Sequence, residues 1–258
     1  MSSRLLPLLL LPALAHAGLG GAMYLGQREL IYYPQPRALP AGEHELILET
    51  ADARLQVSVR ARHGAPALIY FGGNAEDVSR TLPVQARHLP EHALYLLHYR
   101  GYGASSGQPS EENLFADAEA LYEHVAARHS QVEVIGRSLG SGVAVHLASR
   151  RPVSRLVLVT PFDSLAAVAA EQFPWLPVDW LLQDRYDSAR FAPRVSAPTL
   201  LLVAAEDTLV RPERSEALRR AFGHSAVELR VLAGVDHNSI SLHPDYGVAL
   251  AGQPANAP

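Results

Sequence analysis

The sequence predicts an α/β fold, in which a mostly parallel sheet of eight strands carries helices on both faces. The first observation is a series of short, continuous apolar runs, which are typical of strands buried on both faces. The second is that amphipathic helical patterns separate these runs. The third is size, because 258 residues with 48% hydrophobic side chains supply a large core for one domain. The predicted parallel strands are 67–71, 93–97, 132–135, 156–159, 200–204 and 227–232, and the predicted helices are 76–88, 111–127, 142–150 and 211–222.

Residues 1–27 form a separate N-terminal segment in this prediction. Arg4 precedes a nearly uncharged apolar run over residues 5–26, which is long enough for a membrane-spanning helix of roughly 20 residues. Its stretch Ala15-His16-Ala17 also resembles the cleavage site of a signal peptide. We expect an uncleaved membrane anchor, and export after signal cleavage is the alternative.

The main domain is predicted over residues 28–252, followed by a proline-containing tail at 253–258. It opens with an antiparallel hairpin, because residues 44–50 and 54–61 alternate apolar and polar side chains around a short turn. These two strands complete the sheet of eight.

Residues 161–197 interrupt the alternation of strands and helices. Prolines separate aromatic and leucine side chains along this segment, and it follows directly after a predicted strand. An insertion at this position is typical of a cap that covers a pocket. We therefore predict a short helical cap, with Phe162, Trp175 and Trp180 lining a substrate pocket.

Composition excludes several classes of function. A formal net charge of −4 leaves no basic footprint for nucleic acid. The absence of cysteine removes cysteine nucleophiles, thiolate zinc sites and disulfides. His88 and His92 are four residues apart, but Pro90 breaks the helix between them and no carboxylate stands at ligand spacing. We therefore expect neither a metal nor a cofactor.

The motif Gly136-Arg137-Ser138-Leu139-Gly140 stands between a β-branched strand and a helix of small residues. Gly-x-Ser-x-Gly in this context is the pattern of a nucleophile elbow. The serine of such an elbow occupies a turn so tight that neighbouring Cβ atoms would collide, which explains the two glycines. Ser138 is therefore the candidate nucleophile.

A serine hydroxyl needs a base to take its proton and a carboxylate to orient that base. Asp207 directly follows a predicted strand, so it lies at the edge of the sheet where strand ends converge. Asp163 also follows a strand and is the rival acid. Among twelve histidines, His237 is the best candidate base, because it follows the last strand in a loop at the same edge.

The oxyanion that forms during such an attack needs backbone N–H donors. One is expected from Leu139, the residue after the nucleophile. The second is expected from the turn Gly72-Gly73-Asn74-Ala75-Glu76, and we favour the N–H of Asn74 over that of Gly73. A phosphate-binding loop is the other reading of this turn, but the glycine spacing and lysine of a P-loop are missing.

These motifs together resemble the serine hydrolases of the α/β-hydrolase fold. The resemblance points to a membrane-anchored branch with a short cap that includes esterases, lysophospholipase-like enzymes and protein depalmitoylases. Residues 71–77 resemble the family's oxyanion turn, and residues 99–107 resemble its Asp-Tyr-Arg-Gly-Tyr-Gly-x-Ser-x-Gly loop. Ser138, Asp207 and His237 follow one another in the chain order of the family's triad.

Two positions depart from the family pattern. Gly72 stands where the family usually has histidine, which touches the oxyanion turn and its donor geometry. His98 stands at the end of a strand where the family usually has aspartate, and we expect a structural role for it.

The sequence thus predicts a serine hydrolase of acyl esters or thioesters. The expected partners are a small-molecule or lipid-like acyl substrate and a membrane that holds the N-terminus. A peptidase, an amidase or a perhydrolase on the same triad is an alternative. A non-catalytic, membrane-tethered scaffold of the same fold is another.

Overall fold

The computed structural model describes residues 6–39, 45–223 and 226–252, with residues 6–17 described by backbone alone. Eight strands form one sheet with the order β1-β2-β4-β3-β5-β6-β7-β8. The strands are β1 Glu45–Glu49, β2 Arg54–Arg60, β3 Ala67–Phe71, β4 Ala93–Leu97, β5 Val132–Arg137, β6 Arg155–Val159, β7 Thr199–Ala204 and β8 Val227–Leu232.

Only the first two strands depart from a parallel arrangement. β1 pairs antiparallel with β2, and β2 pairs antiparallel with β4, whereas all other neighbours are parallel. The prediction of a mostly parallel, eight-stranded sheet that begins with an antiparallel hairpin is confirmed. His44, which the prediction included in the first strand, lies outside the described residues.

Helices cover both faces of the sheet. Side chains of α3, α4 and α8 share one hydrophobic core, and those of α2 and α9 share the other. The sequence of strand β3 is apolar throughout because both of its faces are buried. Ile69 and Phe71 face the first core, and Leu68 and Tyr70 face the second. The helices are α1 Leu6–Ile31, α2 Val78–His88, α3 Glu111–Ala126, α4 Leu139–Ala148, α5 Leu165–Gln172, α6 Val178–Leu181, α7 Ser188–Phe191, α8 Pro212–Ala221 and α9 Pro244–Leu250.

The predicted cap is an insertion between β6 and β7. It contains the short helices α5, α6 and α7 and a 3₁₀ turn at Ala192–Arg194. Ser164 begins α5, because its side chain accepts a hydrogen bond from the N–H of Ala167 at 3.0 Å. A second 3₁₀ turn, Ile240–Leu242, precedes α9.

Helix α1 crosses the predicted boundary at residue 27 and its C-terminal end contacts the cap. The Gln27 side chain donates from Nε2 to the carbonyl of Leu181 at 3.1 Å and accepts at Oε1 from the N–H of Gln183 at 2.7 Å. Arg28 pairs with Asp184 at 3.2 Å. The sequence did not predict this contact, because the N-terminal segment was expected to be separate from the fold.

The predicted anchor or signal peptide is therefore described only in part. Residues 1–5 and the predicted tail at 253–258 lie outside the described residues. Within the described ranges, no helix combines the length and apolar character needed to cross a membrane.

Candidate active site

Ser138 lies at the sharp turn between β5 and α4. Its backbone has φ 50° and ψ −118°, a combination that type II′ turns usually give to glycine. The neighbouring backbones approach closely here: a Cβ atom at Gly136 would collide with the carbonyl of Gly140, and one at Gly140 would collide with the carbonyl of Phe71. These contacts account for both glycines of the motif, and the turn projects the serine hydroxyl from the carboxyl edge of the sheet.

The structure brings the three predicted residues Ser138, His237 and Asp207 together. The Oγ atom of Ser138 lies 2.9 Å from Nε2 of His237, and Nδ1 of His237 lies 2.7 Å from Oδ2 of Asp207. The residues follow three different strands, and the parallel sheet collects their loops at one edge.

Asp207 is buried and held in place by the backbone. Its Oδ1 atom accepts hydrogen bonds from the N–H groups of Leu209 at 2.9 Å and Val210 at 2.8 Å. These bonds leave Oδ2 directed to His237. The carboxylate is thereby fixed in the orientation that a histidine base requires.

The rival acid Asp163 belongs to a different cluster. Its Oδ2 atom pairs with Arg214 at 3.2 Å, and Arg214 also pairs with Glu171 at 3.1 Å. Burial raises the pKa of Asp163 above its ordinary value. Asp207, and not Asp163, is therefore the acid that contacts the histidine.

The turn after β3 is the predicted source of one backbone donor to the site. The N–H of Gly73 is already engaged, because it donates to Oε2 of Glu76 at 2.9 Å. Asn74 and Leu139 line the same cavity as Ser138, and the side chain of Asn74 is held by a bond from Nδ2 to the carbonyl of Ile31 at 3.1 Å. This arrangement favours the N–H of Asn74 over that of Gly73 as a donor to the substrate.

The glycine at position 72 has a steric explanation. A Cβ atom there would lie 2.7 Å from a methyl group of Val78 and 3.2 Å from the carboxylate of Glu76, which excludes a larger side chain without rearrangement. The carbonyl of Gly72 accepts a hydrogen bond from the hydroxyl of Tyr99 at 2.8 Å. The space that a side chain such as the family's histidine would need at position 72 is therefore occupied here by Val78 of α2 and by Glu76.

A partly buried ion pair links this turn to the histidine loop. Arg137 donates from Nη1 to Oε2 of Glu76 at 3.2 Å and from Nη2 to the carbonyl of His237 at 3.3 Å. Glu76 also accepts from the hydroxyl of Tyr70 at 2.9 Å. In the sequence, Arg137 occupies a variable position of the serine motif, and nothing in the sequence alone reveals its two partners.

Ser138 lies at a mostly apolar cavity of about 240 Å³. Cap side chains supply one wall, and Phe162 is among them, as predicted from the sequence. Helix α1 supplies another wall, which the sequence reasoning missed. The α1 residues at the cavity are Met23, Tyr24, Gln27, Leu30 and Ile31.

The two tryptophans require a correction, because neither Trp175 nor Trp180 lines the cavity. On the short helix α6, Val178 and Leu181 face the cavity, and the helical period therefore turns Trp180 outward, where it is 89% exposed. Trp175 is 48% exposed and contacts the ring of Phe173 edge to face, with centroids 6.3 Å apart.

Two other histidines, the buried His98 and the half-buried His146, have lowered pKa values. Burial lowers the pKa of His98 to about 4, and its Nε2 atom lies 2.9 Å from the hydroxyl of Ser58. Burial also lowers the pKa of His146 to about 4, and its ring stacks on Phe115. In the part of the chain that the structure describes, no group of three histidine, aspartate or glutamate side chains is arranged to hold a metal ion.

Comparison with known proteins gives relatives of similar length. A family model described as alpha/beta hydrolase fold matches residues 63–189. The uncharacterized protein Rv2307c of Mycobacterium tuberculosis is 37% identical over 255 residues, which cover 93% of this chain and 90% of that protein. Protein bem46 of Schizosaccharomyces pombe is 26% identical over 266 residues, which cover 90% of this chain and 86% of that protein.

A solved structure supports the same assignment of the fold. The esterase Pf2001 of Pyrococcus furiosus superposes with a TM-score of 0.67, covering 85% of this chain and 97% of the esterase. The two sequences are only 18% identical, so this likeness shows the fold alone. Together with the family model and the mycobacterial relative, it establishes that the chain belongs to the α/β-hydrolase fold family.

Proposed function

We propose that the protein is a serine hydrolase that cleaves acyl esters or thioesters through an acyl-enzyme. One observation carries the proposal: Ser138, His237 and Asp207 form a continuous chain of hydrogen bonds of 2.9 and 2.7 Å at the wall of an apolar cavity. A serine in a strained turn beside an oriented histidine is the arrangement that nucleophilic catalysis needs.

The reaction begins when Nε2 of His237 takes the proton of the Ser138 hydroxyl. The Oγ atom attacks the carbonyl carbon of the substrate, and the carbonyl π-electrons move to the oxygen. The backbone N–H groups of Asn74 and Leu139 stabilise this oxyanion, each by an amount on the order of 3–4 kcal/mol. The bond to the leaving alcohol or thiol then breaks, and the histidine returns its proton to the leaving group.

Water completes the cycle by the same steps. The histidine takes a proton from water, the resulting hydroxide attacks the acyl carbon, and the Ser138 oxygen leaves with the proton returned by the histidine. Asp207 keeps the proton of His237 on Nδ1, so that Nε2 is free to accept. It also stabilises the imidazolium that forms in each half of the reaction.

The cavity favours a substrate with an apolar acyl group. Its polar lining is limited to a few side chains, among them Ser138, Asn74 and Gln27, and the rest is largely aliphatic and aromatic. Such a wall stabilises a hydrocarbon chain by removing it from water. A lipid-like or acylated substrate is therefore the class that we propose.

We also propose that the N-terminal segment holds the enzyme at a membrane. The apolar run over residues 5–26 supports this proposal. If the segment is instead a signal peptide cleaved after Ala17, the α1 residues at the cavity still belong to the mature chain. N-terminal sequencing of the protein after carbonate extraction of membranes separates these cases, since a chain that begins at Gly18 contradicts the anchor.

Fluorophosphonate labelling of the full chain tests the proposed nucleophile. We expect the wild type to be labelled and Ser138→Ala and His237→Ala to lose labelling by several orders of magnitude in rate, because the probe reacts only with an activated serine. Ser149→Ala is the matched control, since its hydroxyl bonds to the carbonyl of His146 within α4, away from the cavity.

The negative outcome is equally specific. A folded wild-type protein that fails to react with the probe and hydrolyses no p-nitrophenyl ester contradicts the enzyme and favours a scaffold. Full labelling of Ser138→Ala contradicts the assignment of the nucleophile.

A further inference from the structure

Exposed apolar side chains lie on α1 and on the cap, the two elements whose other side chains line the cavity. We define the mouth rim as Tyr24, Leu25 and Leu30 of α1 with Phe173, Trp175 and Trp180 of the cap. Their exposed fractions are 41, 84, 53, 38, 48 and 89%, in that order. Seven of the twelve large hydrophobic side chains that are exposed in the described residues belong to α1 or the cap. Exposed apolar surface gathered in this way marks an interaction site.

The mouth rim and the cavity are continuous. Tyr24, Leu30 and Phe173 line the cavity and are also exposed at the surface. The bonds between Gln27 and residues 181 and 183 hold α1 against the cap, so both halves of the mouth rim belong to one surface. A partner that covers this surface therefore contacts side chains that also line the cavity of Ser138.

We propose that the mouth rim docks on a lipid bilayer, so that the acyl chain of a membrane-resident substrate enters the cavity without crossing water. The identity of the substrate rests on the proposed hydrolase function. The docking itself requires only the surface and is measurable on a chain with no activity.

The side chains of the mouth rim favour a bilayer as the occupant. Trp180, Trp175 and Tyr24 combine an apolar ring with a polar N–H or O–H group, the composition that is enriched where membranes meet water. Leu25 is 84% exposed on α1, the helix whose N-terminal sequence is a nearly uncharged apolar run. Aromatic and leucine side chains beside such a helix are typical of an interfacial surface.

Two arginines beside the mouth rim are paired with carboxylates of the protein. Arg28 pairs with Asp184 at 3.2 Å, and Arg185 pairs with Asp179 at 3.2 Å. The surface therefore presents no excess of either sign through these residues. We infer that neutral phosphatidylcholine is sufficient for docking, without a requirement for anionic lipid.

The chain contains a built-in probe for this contact, because its only two tryptophans both lie in the mouth rim. The full chain is reconstituted with phosphatidylcholine vesicles, with and without bromine atoms on the acyl chains. We expect a blue shift of tryptophan emission on adding vesicles, strong quenching by the brominated lipid and protection from aqueous iodide. The variant Ser138→Ala is expected to give the same spectra, which separates docking from catalysis.

A charge in the mouth rim supplies the matching functional test. For Trp180→Glu we expect loss of the quenching of Trp175 and a fall of about tenfold in hydrolysis of a long-chain ester embedded in vesicles. Hydrolysis of water-soluble p-nitrophenyl butyrate is expected to stay unchanged. The control Val231→Glu alters another exposed apolar residue, 53% exposed on the edge strand β8, and is expected to behave as wild type in both assays.

Three outcomes overturn the proposal. The first is a tryptophan emission that does not shift when vesicles are added, with tryptophan rings that stay fully accessible to iodide, even if the N-terminus holds the chain on the membrane. The second is a blue shift without lipid that grows with protein concentration, which identifies a second copy of the chain as the occupant. The third is an equal loss of activity on soluble and embedded esters in Trp180→Glu. Absence of all hydrolysis with normal quenching contradicts the proposed function alone.

Discussion

The proposed catalytic residues and the cavity wall of this protein are built in opposite ways. Ser138, Asp207 and His237 each follow a strand of the central sheet, and the backbone fixes their positions through local turns. The wall of the cavity comes from α1 and the cap, two segments about 150 residues apart in the chain that meet through side-chain contacts such as Arg28 with Asp184.

This difference separates the residues that we expect to set the reaction rate from those that we expect to select the substrate. Residues on strand ends take their positions mainly from the sheet and from the turns next to them. A wall that α1 and the cap form with their side chains changes with each side chain that contacts the substrate. We therefore expect substitutions at the first region to alter the rate for every substrate, and those at the second to alter which substrates are chosen.

The largest effect is expected for Asp207→Asn. Asparagine presents an N–H group or a neutral oxygen to His237 and favours the wrong tautomer, so kcat should fall by about 10⁴ with little change in KM. Steady-state hydrolysis of p-nitrophenyl butyrate measures both kcat and KM. Asp163→Asn is the matched control and should retain activity close to wild type. If Asp163→Asn is the more damaging change, the assignment of the acid is wrong.

A smaller effect is expected for Arg137→Lys, which tests whether the two loops of the site are coupled. Lysine keeps the charge beside Glu76 but lacks the fork that also reaches the carbonyl of His237. We expect kcat to fall about tenfold with KM unchanged, because the histidine loop loses a fixed contact.

The control for this change is Arg214→Lys. Arg214 is similarly buried, with 24% of its side chain exposed against 20% for Arg137, and it pairs with Asp163 and Glu171. Thermal unfolding of both variants corrects for stability. Equal losses of kcat in the two would show that the effect is structural and would remove the positioning role of Arg137.

The smallest effect on overall rate is expected for Met23→Trp in α1. Met23 lines the cavity, so a larger ring shortens the space for an acyl chain. We expect kcat/KM for p-nitrophenyl octanoate to fall about tenfold while that for the butyrate ester stays near wild type. Leu25→Trp is the matched control on the same helix, because Leu25 is 84% exposed and does not line the cavity. Parallel changes for both esters would exclude α1 from chain-length selection.

The sequence predicted the strand-end residues better than the cavity wall, because local turns position the former and contacts between distant segments form the latter. Buried parallel strands need continuous apolar runs, and tight turns need glycine, so the sheet and the positions of Ser138, Asp207 and His237 followed from local patterns. The spatial arrangement of these three residues agrees with that prediction. Their catalytic roles remain a proposal.

The wall of the cavity has no such local pattern. Leu30 and Trp180 are apolar residues in helices, and their sequence does not say which face contacts the substrate. Trp180 was predicted to line the cavity because it is one of the aromatic side chains of the cap insertion, yet the four-residue helix α6 turns it to the surface. The contacts of Gln27 and Arg137 depend on partners 61 to 156 residues away, which one sequence cannot supply.

The conformation of Ser138 has a consequence for the evolution and engineering of this chain. Its positive φ costs about 1–3 kcal/mol, a sizeable share of the roughly 5–15 kcal/mol that stabilises an ordinary domain. Glycine adopts the same angles without a Cβ penalty. Selection for thermal stability alone would therefore favour Ser138→Gly and discard the hydroxyl. Thermal stability and the proposed hydrolase activity place opposite demands on this residue, so a search for more stable variants has to measure both.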